Sequence, residues 1–272
     1  MKRIALFAGV IGLVAGQSLA QIDPPTDADI YVLGEVHDNP LHHAEQARLV
    51  GLIGPKAVVW EMLSGRQAKV LAGVTGANAD VMARALEWEA SGWPDFSMYY
   101  PIFQASGQAE HLAGAVPREE LKSAITMGAA AVLKKNFPGI DAARALPELA
   151  ADALEDLKAE QAEAHCNALP TEMLGGMVEA QRLRDAWMAG EALAALDRVQ
   201  GPVVIITGTG HARTDTAIPA ILANLRPEVT VWSLGQVESD PGADAPFDAV
   251  RVTDPAPRDD PCAQFAVPKA RK

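Results

Sequence analysis

Apolar residues recur along this chain in two rhythms. Ile30 to Leu33, Ala57 to Trp60, Val203 to Ile206, Val229 to Leu234 and Ala249 to Val252 are short apolar or nearly apolar runs, the look of strands buried on both faces. Between the first two runs the rhythm changes. Leu41, Ala44, Leu49, Leu52 and Ile53 fall at helical spacing, Asn39 and Pro40 supply an N-cap and a first helical residue, and Gly54-Pro55 stops the helix. Strand, helix and strand in that order predict a βαβ unit with parallel strands. From Ser64 to about Asp197 the chain turns to Ala, Leu, Met, Glu and Arg at helical intervals. Helices are expected over Asp80 to Ser91, Glu119 to Asn136, Asp141 to His165 and Thr171 to Ala189, with Ala113 to Val116 as a further short strand. Thr214 or Asp215 is placed to cap a last helix running to Leu225. The predicted fold is α/β, a mainly parallel central sheet with a large all-helical insertion over about 64–197. It forms a single domain over 21–253, followed by an irregular tail over 254–272.

The front of the chain stands apart. Lys2 and Arg3 precede an apolar run from Ile4 to Ala15, and Ser18-Leu19-Ala20 is a small-x-small cleavage signal before Gln21, so residues 1–20 read as a secretory signal peptide. The mature chain is expected to be exported and periplasmic, with no transmembrane segment. Cleavage removes two basic residues and takes the formal charge from −12 to −14, which argues against nucleic acid as a partner because a polyanion needs a basic patch. The two cysteines, Cys166 and Cys262, are expected to form a disulfide in an oxidising compartment.

Candidate chemistry sits where strands end. Gly34-Glu35-Val36-His37 and Gly208-Thr209-Gly210-His211 share a G-x-x-H pattern directly after apolar runs, and the second run ends in Glu61. Ligands of open α/β sheets bind at the carboxyl ends of strands. An imidazole there can act as a base or bind a transition metal, and a carboxylate can complete either site. His37, Glu61 and His211 are the candidate metal ligands. If Glu35 and Glu61 are close, a proton or a cation must lie between them, and Arg213 is the candidate cation. The competing reading has His37 and His211 only holding loops through hydrogen bonds. Neighbouring helical residues diverge by about 100°, so His42 and His43 are expected mainly as surface histidines. His111 and His165 have no supporting pattern. Met173 and Met177, one helical turn apart, are expected in the core. The turn-rich aromatic segment Trp88 to Pro101 either lines a pocket or forms a small core of its own.

These motifs together carry a resemblance. L-G-E-V-H-D-N-P-L-H-H at Leu33 to His43, V-V-W-E-M at Val58 to Met62, W-x-x-S-G-W-P-D-F at Trp88 to Phe96, M-V-E-A-Q-R at Met177 to Arg182 and T-G-T-G-H-A-R at Thr207 to Arg213 are similar to those of the ChaN family. These are haem-binding uptake proteins, in a superfamily with Tiki proteases and erythromycin esterases. The resemblance implies an exported protein of haem or iron acquisition, with haem bound at a homodimer surface. No C-x-x-C-H motif is present, so the haem would be non-covalent, and Tyr99 or Tyr100 is the expected axial ligand unless both only line a pocket or pack. The Tiki branch implies a metal-dependent hydrolytic site at His37, Glu61 and His211, and the esterase branch adds Glu35 for acid-base hydrolysis. Lipid-anchored members carry a cysteine at the cleavage site, which this chain lacks. A hydrolase acting on an ester or peptide is therefore the rival function. A third reading keeps the cluster as a relic on a protein used for contact alone.

Overall fold

A computed structural model describes residues 22–263; the expected signal peptide and the end of the tail lie outside the described residues. Strands β1 (Ile30–Glu35), β2 (Ala57–Trp60), β3 (Glu110–Ala113), β4 (Val203–Gly208), β5 (Val231–Val237) and β6 (Ala249–Val252) form a sheet in the order β3-β2-β4-β1-β5-β6, and every neighbouring pair is parallel. The expected α/β architecture is present. One detail of the βαβ expectation changes: β1 and β2 are parallel, but β4 lies between them.

The alternation of side chains along each strand builds two apolar layers. Ile30, Val32, Val203 and Ile205 face one way, and Tyr31, Leu33, Val204 and Ile206 the other. Helix α1 (Pro40–Ile53) covers the second face through Leu49 and Val50, together with α2 (Gly65–Leu71), α3 (Ala79–Ala85) and α4 (Phe96–Ala105). The first face is covered by α5 (Arg118–Met127), α6 (Ala129–Asn136), α7 (Ala142–Ala145), the long α9 (Thr171–Val199) and α10 (Ile218–Leu225). Helix α8 (Ala151–Ala164) lies outside both layers and contributes no buried residue. Among the described residues no helix is long and apolar enough to cross a membrane.

Several elements end where local chemistry overrides periodicity. The helix expected over Asp80 to Ser91 stops at Ala85, because Glu87 takes a left-handed conformation, and resumes as a 3-10 turn over Trp88–Ser91. The run from Glu119 to Asn136 breaks at Gly128, whose φ is 87°. Asp141 to His165 divides around Leu146 and Pro147 into α7 and α8. Helix α9 passes Ala189 and ends at Val199, before Gln200 in the left-handed region. Strand β3 lies three residues earlier than expected. Neither Thr214 nor Asp215 caps α10; the cap position is Ala217, and Asp215 is engaged by Arg213. The expected disulfide joins Cys166 to Cys262, with Cα atoms 5.4 Å apart, and pins the tail beside the end of α8.

Candidate functional site

The strand order explains how the site assembles. The connection after β1 returns as α1 on one face of the sheet, and the connection after neighbouring β4 returns as α10 on the other. Adjacent strands whose connections leave on opposite faces open a crevice at their carboxyl ends. Glu35 is level with Gly208, and Trp60 with Ile206, so Glu35 and Glu61 emerge on either side of the end of β4. Glu61 is fixed first by that strand: its Oε2 accepts hydrogen bonds from Thr207 Oγ1 and the Gly208 N–H, each at 2.8 Å.

The two glycines of the G-x-x-H repeats make room for each other's segment. A Cβ on Gly34 would come within 2.8 Å of Thr209 Cα and 2.9 Å of the Leu234 carbonyl oxygen. A Cβ on Gly208 would lie 3.0 Å from His37 Nε2 and 3.8 Å from Glu61 Oε2, so this glycine leaves a cradle between imidazole and carboxylate. Gly34 lies within β1, and close backbone approach is what requires a glycine there.

On the β1 side Glu35 is the hub. His37 Nδ1 donates to its Oε1 at 2.9 Å, the Tyr99 hydroxyl donates to the same oxygen at 3.3 Å, and His43 Nδ1 lies 3.0 Å from its Oε2. His43 Nε2 in turn donates to the His37 carbonyl at 2.7 Å. The donation from Nδ1 leaves the Nε2 lone pair of neutral His37 free. Burial lowers the basicity of His37, but the hydrogen bond it donates to Glu35 and the charge of Glu61 outweigh it and raise its pKa. The His37 side chain keeps 35% of its surface exposed, with Trp93 edge-on at 4.8 Å between ring centroids.

On the β4 side His211 is buried between two acids. Its Nδ1 stands 2.6 Å from Asp185 Oδ1 on α9, and its Nε2 3.5 Å from Glu61 Oε1. Burial opposes a charge there, yet Asp185 and Glu61 raise its pKa to about 10, so at neutral pH it is an imidazolium. Burial alone would push Glu61 up; the His211 charge reverses this and holds it well below the ordinary carboxylate range. For Asp185 burial prevails and raises the pKa, with His211 opposing.

Four expected residues, Glu35, His37, Glu61 and His211, thus meet at one edge. Arg213 does not join them. Its guanidinium is held by Asp215 at 2.8 and 3.0 Å and by Glu160 at 3.2 Å, and the cation beside Glu61 is His211 instead. Tyr99 is fully buried, with its hydroxyl on Glu35, and burial pushes that phenol far up; Tyr100 donates to the Ala77 carbonyl at 3.1 Å. The Tyr99 oxygen is enclosed, whereas Tyr100 is half-buried and its hydroxyl keeps lone pairs beyond the proton it donates. Among the described residues no group of three His, Cys, Asp or Glu side chains is arranged to hold a metal ion. The expected trio of His37, Glu61 and His211 fails because both nitrogens of His211 face carboxylates and Glu61 is tied to Thr207 and Gly208.

His42 and His43 are buried rather than on the surface. Each meets a different neighbour: His42 Nδ1 accepts the Val36 N–H and its Nε2 donates to Thr253, both at 2.8 Å, while His43 turns to the His37 carbonyl. The turn of residues 36–39 and the end of β6 flank the first helical turn on both sides, so both imidazoles find partners. Met173 is 44% exposed and outside the core. The aromatic segment is mostly a small core, with Trp88, Phe96 and Tyr99 buried and Trp93 at the rim beside His37. Asp185, His43 and the hydroxyl of Tyr99 were not expected in the cluster. The signal for Asp185 was its place on the apolar side of the helix, at helical spacing from Met188 and Ala189, although Arg184 stands beside it.

A cavity of about 260 Å³ reaches Asp185 and His211 from behind, roofed by Leu157, Glu160 and Gln161 of α8. A larger cavity, about 980 Å³, lies at the opposite end of the sheet against Asp27, Pro202 and Val229, which precede the strands. Size is no guide to the site here, because the titratable groups converge at the other edge.

Comparison with known proteins adds three findings. A family model described as haem-binding uptake, Tiki superfamily, ChaN matches residues 22–222. A solved structure of ChaN of Campylobacter jejuni, described with cofacial haem, is similar in fold at 18% identity, covering 83% of this chain and 87% of that chain with a TM-score of 0.62. A mutant of the erythromycin esterase EreC in its open conformation is similar at 16% identity, over 88% of this chain and 79% of that chain, with a TM-score of 0.42. No curated protein matches.

Proposed function

Because this chain belongs to the haem-binding uptake family of the Tiki superfamily that includes ChaN, we propose that it binds haem non-covalently at the carboxyl edge of its sheet and serves haem or iron uptake as an exported, periplasmic protein. Within the molecule the observation that carries this reading is His37, a half-exposed imidazole beside Trp93 at the crevice, with its Nδ1 held by Glu35. A nitrogen donor next to an aromatic edge suits a flat iron-bearing ligand. The cavity reaching this cluster, about 260 Å³, is small for a porphyrin and opens behind His211. The haem therefore lies against the open edge, with one face uncovered.

An uncovered porphyrin face favours a second copy. The Campylobacter jejuni protein is described as binding haem cofacially, and we extend that arrangement to this chain as a homodimer with two stacked haems. Hemin titration followed by Soret absorbance tests the reading, with sedimentation reporting the dimer. Saturable binding near one haem per chain is expected. No saturable change at that ratio would remove the proposal. Export is tested by N-terminal sequencing of the secreted protein, expected to begin at Gln21.

A second reading rests on the Gly208 cradle, where His37 Nε2 and Glu61 Oε2 flank one small volume. That pair suits a hydrolase: neutral His37, oriented by Glu35, takes a proton from water, and His211 keeps Glu61 ionised. Turnover of ester and peptide substrates that is lost in Glu35→Gln would favour it. Absence of any turnover, with or without added divalent metals, would leave haem binding alone.

A further inference from the structure

His111 has no part in the crevice. It stands on β3, the edge strand of the sheet, level with Val58 of β2, and the Trp60 indole N–H donates to its Nδ1 at 3.0 Å. An indole can only donate, so Nδ1 carries the lone pair and Nε2 the proton. Burial pushes the pKa of His111 down to about 4, so this tautomer is uncharged at neutral pH. Among the described residues nothing accepts the Nε2 proton, although the residue is half-buried. His111 borders a cavity of about 330 Å³, and the N–H it has to offer there is uncommitted.

The rest of the lining fits a neutral, flat guest. Leu71, Met82 and Phe103 line it and are buried, and Tyr100 adds a second aromatic ring. The Tyr100 hydroxyl gives its proton to the Ala77 carbonyl at 3.1 Å, and Ala77 borders the same space, so toward a ligand that oxygen can only accept. No lining residue is an acid, a lysine or an arginine, in a chain whose formal charge is −12. Such a space penalises an ion, which would leave water without a counter-charge, and the rings of Tyr100, Phe103 and His111 favour a planar partner. We propose that this cavity binds a small, uncharged, planar molecule of the aromatic amide or lactam class, whose carbonyl oxygen accepts the proton of His111 Nε2. Its volume is near the lower end of the roughly 300–1,000 Å³ usual for ligand sites, which suits a single ring system and excludes a porphyrin. The lining shares no residue with Glu35, His37, Glu61 or His211, so the proposal goes beyond haem binding and does not depend on it.

The test follows the full mature chain by nuclear magnetic resonance, with benzamide as the probe. Benzamide is expected to shift the Trp60 indole N–H and His111 ring signals saturably, with a Kd on the order of 0.1–1 mM for a ligand of its size, and to show nuclear Overhauser contacts to Phe103 and Tyr100. Benzoate and benzylamine present the same ring with a negative or a positive charge and should bind roughly tenfold more weakly or worse. His111→Leu should weaken benzamide roughly fivefold or more through the lost hydrogen bond. That change also leaves the Trp60 N–H without its acceptor, so if the variant does not fold, the wild-type comparison of the three probes decides. Equimolar hemin should leave benzamide in place. Absence of a saturable shift at these two residues, equal binding of the three probes, or displacement of benzamide by hemin would overturn the proposal. A chain that binds benzamide here and no hemin would keep this site while removing the haem reading.

Discussion

Asp185 and His211, 26 residues apart in the chain and on different elements, meet at 2.6 Å in the interior beneath the crevice. The contact converts a histidine into a fixed positive charge, and that charge keeps Glu61 ionised at the crevice floor. Removing one partner of a buried ion pair leaves the other uncompensated, which costs roughly 3–5 kcal/mol. Asp185→Ala should show a loss of that order in denaturant unfolding, and Asp185→Asn a smaller one.

The same histidine gives the protein an alkaline limit. Its pKa in the fold, about 10, lies above the ordinary 6.5, so its stabilisation is complete below about pH 6.5 and disappears as pH rises through 10. Chemical denaturation across that range should show a progressive loss that Asp185→Asn diminishes.

The acid side has a different origin. Burial holds His42 and His111 near a pKa of about 4, below the ordinary 6.5. Each is neutral in the fold, so its contribution is present above pH 6.5 and is lost as pH falls towards 4, when the unfolded chain takes up protons that the native state refuses. His42→Gln should flatten the decline of stability between pH 6.5 and 4, even while lowering the stability at neutral pH.

The paired glycines should respond differently to the same substitution. In Gly34→Ala the new methyl group meets backbone atoms of Thr209 and Leu234, and overpacking of this kind costs roughly 1–3 kcal/mol. In Gly208→Ala it meets the ring of His37, which can shift. Thermal unfolding should therefore penalise the first, while hemin titration or hydrolytic assay should penalise the second.

Reducing the disulfide should release the tail. Its two cysteines are separated by 96 residues, and closing a loop of that length stabilises by about 4–5 kcal/mol on chain-entropy grounds. A Cys166→Ser, Cys262→Ser variant should unfold at lower denaturant, with faster hydrogen exchange in α8, which has no buried residue of its own to hold it.

The sheet and the meeting of Glu35, His37, Glu61 and His211 were legible in the sequence, because a buried parallel strand writes itself as an apolar run and its end as the first polar residues after it. Boundaries in the helical region were less so. Glu87 and Gln200 adopt left-handed conformations that composition does not announce, and Gly128 breaks a run whose periodicity continues across it. The partners of the cluster escaped for another reason. Asp185 reaches His211 from α9, and Tyr99 reaches Glu35 from α4; such pairings are set by how helices lie on the sheet, which no local pattern encodes. Arg213 is two residues from His211 in sequence, but Asp215 is equally near on its other side and takes the guanidinium.

The position of β4 between β1 and β2 bears on how the protein matures. A nascent chain emerging from its N-terminus makes Glu35 and Glu61 long before Gly208, so the two acids wait with a gap between them until the last third of the chain has been delivered. Any fragment released before Val203 would lack the strand that joins β1 to β2, so Glu35 and Glu61 would have no common edge on which to meet.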